Sequence, residues 1–99
     1  MIRYTTPTIT FSLPFEASYL TAACISLLQG GSTAVDKTLA DCETSEKTLS
    51  ITLSQEETAG FAAGTPVKVQ LRCVGNDGKA YASRQFRLNV DDVLKEGVL

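Results

Sequence analysis

The sequence predicts an all-β fold, a small antiparallel sandwich, and three observations carry that prediction. Apolar residues recur at every second position in four separate stretches, the alternation of a half-buried strand. Clusters of Gly, Pro, Asn and Asp fall between those stretches, where turns are needed. The chain has 99 residues, of which 43% are hydrophobic, enough for one thin core and one domain spanning 1–99.

The elements follow in order. Thr8 to Leu13 places Ile9, Phe11 and Leu13 on one face and hydroxyls on the other, with Pro7 and Pro14 closing both ends. Leu20 to Gln29 reads as a strand apolar on both sides, either central or partly covered by loops. Gly30-Gly31-Ser32 turns the chain, and Thr33 to Leu39 returns as an edge strand on which only Val35 and Leu39 are strongly apolar. Asp41 to Lys47 is expected to be a polar loop, and Leu49, Ile51 and Leu53 mark the next strand.

Ser54 and Glu57 then fit a capping box, which predicts a short helical turn near 55–61. Phe61 closes that turn onto the core, and Gly64-Thr65-Pro66 ends it. Val67, Val69, Leu71 and Cys73 alternate with Lys68, Gln70 and Arg72 in a further strand. Gly75-Asn76-Asp77-Gly78 supplies the positive φ that a hairpin turn needs. The return strand runs from about Lys79 to Val90, with Ala80, Ala82, Phe86, Leu88 and Val90 in one parity. Arg84 shares that parity, so a bulge or an exit from the core is expected there. Six to seven short strands in one domain give an immunoglobulin-like sandwich; a five- or six-stranded open barrel is the alternative.

Composition excludes several functions. Nine Lys+Arg against eleven Asp+Glu leave a formal charge of −2 and no concentrated basic run, which argues against nucleic acid as a partner. Histidine is absent, removing the usual general base and metal ligand together. No metal, cofactor or catalytic residue is therefore expected, and the chain reads as non-enzymatic. Tryptophan is also missing, which weakens a sugar-stacking platform. The most apolar run, Leu20 to Leu28, is too short to span a bilayer, so no membrane is expected.

Cys24 and Cys73 lie on strands some fifty residues apart, a spacing that invites comparison with an inter-sheet disulfide. The tryptophan that accompanies that disulfide is missing, and the opening residues carry no signal-peptide core. Reduced cysteines acting as small hydrophobes are expected, with Cys42 free in an exposed loop. Glu56-Glu57 and Asp91-Asp92 are chain neighbours and do not suggest a catalytic pair. The remaining candidate is a contact patch on the polar face of the last hairpin: Lys68, Gln70, Arg72, Tyr81, Gln85 and Arg87. Arg72 would stand across from Tyr81 if Val74 paired with Lys79.

Several segments together look familiar: Gln55-Glu56-Glu57-Thr58, Phe61, Gly64, Val67 to Arg72, Asp77-Gly78-Lys79-Ala80 and Ser83. The opening Thr5-Thr6-Pro7-Thr8-Ile9-Thr10-Phe11 and the Leu13-Pro14-Phe15 step belong to the same pattern. The chain resembles small phage- and prophage-encoded proteins of Firmicutes. More remotely, it is similar to the N-terminal β-sandwich module of phage upper baseplate proteins. That resemblance implies a tail- or baseplate-associated structural module with no catalytic motif. It implies protein partners, a homo-oligomer, and residence in the host cytoplasm during assembly before incorporation into a virion. A carbohydrate- or cell-surface-binding module is the alternative, with Tyr4, Tyr19 and Tyr81 as its available aromatics.

Overall fold

Alternation in the sequence becomes two antiparallel sheets in the computed structural model, which describes residues 1–99, the side chain of Thr33 apart. One sheet has three strands, ordered β1 (Thr8–Ser12), β5 (Thr48–Thr52) and β4 (Glu43–Ser45). The other is ordered β3 (Ser32–Thr38), β2 (Leu20–Gln29) and β6 (Val67–Gly75). The far edge of β6 is shared by β7 (Ala80–Ala82) and β8 (Phe86–Leu88). The chain is thus an all-β sandwich.

Each sheet turns its apolar alternates inward. Leu49, Ile51, Leu53 and Phe11 of the three-stranded layer meet Ile25, Leu27, Val67, Val69 and Leu71 of the other, all buried. Truncating any fully buried Leu or Ile among them to Ala would cost about 2–5 kcal/mol. β2 is central, as one of its two readings required. Its odd residues Ala23, Ile25 and Leu27 are buried, while Cys24, Ser26 and Leu28 on the other side are half-buried.

The helical turn forms where the capping box lies, as α1 (Gln55–Ala59). Ser54 Oγ accepts from Glu57 N at 3.1 Å, and Glu57 Oε1 accepts from Ser54 N at 2.9 Å. Behind it Thr58 is fully buried, its hydroxyl donating to Thr5 O at 2.9 Å and accepting from Thr5 N at 3.1 Å. Phe61 follows into the core. Arg3 ties both chain ends to this helix, through Ala59 O at 2.8 Å, Asp92 at 2.9 Å and Glu96 at 3.2 Å.

Two expectations are corrected. The polar stretch 41–47 contains a strand, β4, hairpinned onto β5 with Glu43 opposite Ser50 and Ser45 opposite Thr48. Its residues are all exposed, so no apolar alternation marked it. The return strand is broken as Arg84 suggested, but the break changes parity. Arg72 pairs with Ala82 and Val69 with Phe86, so three steps along β6 match four along the return. That one extra residue turns Phe86 and Leu88 inward and leaves Ala80 and Ala82 outward, on the face of Val74 and Arg72.

Candidate functional site

The outer face of the five-stranded sheet is built from rows of cross-strand neighbours. Thr38, Cys24, Arg72 and Ala82 form one row; Asp36, Ser26 and Gln70 form the next; Leu28, Lys68 and Arg87 form a third. β2 contributes short side chains to this face, whereas β6 and β8 contribute long cationic ones. The difference in length leaves a furrow over β2, with Lys68, Arg72 and Arg87 standing along one bank.

Three shallow depressions mark that furrow. The first, about 230 Å³, is bordered by Ala22, Cys24, Arg72, Val74, Ala80 and Tyr81, whose side chain turns to the other face. The second, about 180 Å³, lies among Ser26, Leu28, Lys68, Gln70 and Gln85. The third, about 290 Å³, is bounded by the Gly30–Gly31 turn, Thr65, Pro66, Lys68 and Arg87, with Leu28 in its lining. Its wall is held by Gln29, whose amide donates to Ala62 O and Thr65 O at 2.8 Å each and accepts from Ala62 N at 2.8 Å.

Ser83 sets the cationic bank. Within the break between β7 and β8, its N–H donates to Leu71 O at 2.8 Å and its Oγ accepts from Leu71 N at 2.9 Å. Gln70 Nε2 donates to Ser83 O at 2.9 Å. The side-chain hydroxyl thus replaces the carbonyl that the bulge removes from the ladder, and β8 resumes in the register that puts Arg87 beside Lys68. Lys68 and Arg87 are direct cross-strand neighbours of like charge, an arrangement that costs stability. Among the described residues, neither they nor Arg72 has a carboxylate partner. The ion pairs lie elsewhere, between Arg3 and Asp92 or Glu96 and between Lys37 and Glu57.

Of the six residues nominated from sequence, Lys68, Gln70, Arg72, Gln85 and Arg87 share this face. Tyr81 does not. It pairs with Cys73, not across from Arg72, because Val74 pairs with Ala80 where Lys79 was expected. Its ring lies 5.2 Å from Phe15, which in turn lies 5.3 Å from Tyr19. This trio lies on the core side of the sheet, beside the turn that follows β6, where Asn76 N donates to Tyr19 O. The neighbouring Asp77 carboxylate pushes the Tyr19 phenol up to about 12. The Tyr19 ring crosses Gly75 so closely that a Cβ there would stand 2.3 Å from it. Tyr4 lies apart, under the Arg3 guanidinium at 5.2 Å.

The cysteines do not make a disulfide. Cys24 and Cys73 sit in one sheet and on opposite faces, with Cys24 opposite Arg72 and Cys73 opposite Ala23. All three thiols are free, and Cys42 is half-buried where exposure was expected, donating to Thr38 O at 3.2 Å. Burial pushes the Cys42 and Cys73 thiols up, so both stay protonated and weakly nucleophilic. Among the described residues, no three Cys, Asp or Glu side chains are grouped to hold a metal ion. Among the described residues, no helix is long and apolar enough to cross a membrane.

Sequence reasoning missed Ser83, Gln29, Cys24 and Leu28 as parts of the site. A serine inside a strand carries no local mark of a bulge, and a strand-end glutamine none of a loop clamp. No protein-family model, curated protein or solved structure matches the chain.

Proposed function

We propose that this chain is a non-enzymatic contact module whose outer five-stranded face docks another protein. The observation that carries this reading is the Lys68–Arg87 pair. Two like charges are held side by side without a carboxylate, in a protein whose net charge is −2. Such a pair is a liability in the isolated chain and an asset once an acidic partner covers it. Arginine beside half-buried apolar residues also matches the composition of protein interfaces. The tail or baseplate setting, with assembly in a host cytoplasm, comes from the sequence resemblance. Its test is capture of phage tail and baseplate proteins on the immobilised chain, with Arg72→Glu as the comparison. Retention that disappears in the variant, with an unchanged thermal melt, supports the reading. Equal retention by both, or none by either, overturns it.

A second reading, binding of a carbohydrate, draws on the Phe15–Tyr19–Tyr81 cluster, in which Tyr81 is 37% exposed. A glycan-array signal competed by free sugar and lost in Tyr81→Ala would favour it.

A further inference from the structure

Charge in this chain is segregated by strand. Between Val67 and Val90 five cations accompany one acid, a net of +4; between Asp36 and Glu57 six acids accompany two cations, a net of −4. The topology carries these segments to opposite edges of the five-stranded sheet, with Asp36 on the same outer face as the cations but across β2 from them. The positive one forms β6, β7 and β8 at one edge of the five-stranded sheet. The negative one begins in β3, the other edge of that sheet, and passes through a 3-10 turn at Leu39–Asp41 into β4, the edge of the three-stranded sheet. On the negative edge, Asp36, Asp41 and Glu43 are exposed, and Lys37, the one cation of β3, is already spent on Glu57 at 2.9 Å. On the positive side, Lys68, Arg72, Arg84 and Arg87 are exposed, and none has a carboxylate partner among the described residues.

Resting on the contact-surface reading above, we infer that the partner is a second copy of this chain, engaged head to tail. The acidic β3–β4 edge of one copy lies against the basic outer face of the next. A two-fold axis through Lys68 and Arg87 would set those cations against their own copies, and a flat face-to-face dimer would leave Glu43, on the three-stranded sheet, away from the contact. An edge laid against a face brings both acids to the cations. A heterologous contact does not close on itself after one step, so it builds a ring or a filament. Carboxylates from the neighbouring copy would supply the partners that the Lys68–Arg87 pair lacks.

The experiment uses the full chain and two charge-reversed variants, one carrying Lys68→Glu with Arg87→Glu, the other Asp36→Lys with Glu43→Lys. All four side chains are exposed, and each variant is checked by its thermal melt. Solution mass is read by light scattering across a concentration series. The wild type should associate, more weakly by about tenfold as ionic strength rises from about 0.05 M to about 0.5 M, because screening shortens the reach of exposed charges. Each variant alone should be monomeric, since its two surfaces then carry the same sign. Mixing the two variants should restore association, because each surface of one now meets its complement on the other.

A monomeric wild type, or a mixture that fails to reassociate, overturns the head-to-tail contact and leaves the contact-surface reading to the capture experiment. Loss of association only in the Lys68/Arg87 variant keeps the face as a contact but removes the acidic edge as its occupant. Wild-type mass in both variants overturns the contact surface together with its partner.

Discussion

The two outer faces of this sandwich are made by the same alternation and end in opposite states. On the three-stranded sheet the outward residues of β1 and β5 are short hydroxyls that meet each other, with Glu43 of β4 at the edge beside Ser50. Thr8 Oγ1 and Thr52 Oγ1 are 2.9 Å apart, as are Thr10 Oγ1 and Ser50 Oγ. On the five-stranded sheet Lys68, Arg72 and Arg87 of β6 and β8 point outward, and their direct cross-strand neighbours are other cations or uncharged side chains. A hydroxyl is donor and acceptor at once, so a row of them satisfies itself; an ammonium or guanidinium only donates and needs an acceptor from elsewhere. The first face is therefore closed in the single chain, and the second is left open to a partner.

The largest expected effect comes from removing the device that sets the open face. Ser83→Ala leaves the buried-side Leu71 N–H without its acceptor, a loss of about 1–3 kcal/mol. For a domain of this size, each kcal/mol lowers the melting midpoint by about 4–8 °C. Association should fall with it, because the register of β8 carries Arg87. Amide exchange in β1 and β5 should stay slow. Equal loosening of both sheets would show that the faces are not independent.

Arg87→Glu separates contact from stability. It replaces two opposed cations with an opposite-charge pair worth about 0.2–1 kcal/mol, so the melting midpoint should rise while partner binding weakens by about tenfold. A lower midpoint would mean that the Lys68–Arg87 neighbourhood is no liability, and the contrast between the faces would lose its basis.

A smaller effect belongs to the side of the sandwich where Lys37 meets Glu57. Burial works to raise the Glu57 carboxyl, but the Lys37 ammonium and the Ser54 N–H outweigh it and hold it below its ordinary 4.5. The stabilisation is accordingly present above pH 4.5 and is lost as pH falls through the lower folded value. Thermal melts from neutral to acid pH should show that loss, and Glu57→Gln should flatten it. An unaltered acid slope in the variant would assign the dependence to other carboxylates.

The smallest effect is expected on the closed face. Thr8→Val exchanges one exposed hydroxyl pair, remote from β4, for a good strand former, and stability should move by no more than about 0.5 kcal/mol. Association should not change at all. A loss of association there would place a contact on the hydroxyl face and undo the comparison.

Where strands run and which side of them is inward was legible from local pattern. Period two in Ile9–Leu13, Leu49–Leu53 and Val67–Cys73 states the buried face directly, and the Ser54–Glu57 spacing states the cap. Lys68, Gln70 and Arg72 share a face because β6 is regular. Gln85 and Arg87 join them because the residue inserted between β7 and β8 restores the parity that the turn had shifted. Tyr81 was misplaced because facing is read by counting, and the count starts from an assumed pairing at the turn. Pairing Val74 with Ala80 instead of Lys79 moves every residue of β7 to the other side.

By itself, then, the sequence determined an all-β chain with one core, alternating strands for most of its length and polar turns between them. These follow from which side chains leave water, a property each short segment expresses alone. Only the tertiary structure decided that β4 is a strand, that Ser83 inserts one residue into the ladder, and that Lys68 stands beside Arg87. It alone carried the +4 and −4 segments to opposite edges. Each of those outcomes depends on hydrogen bonds between residues far apart in the chain, and such a partner is chosen by the assembled sheet, not by the segment that receives it.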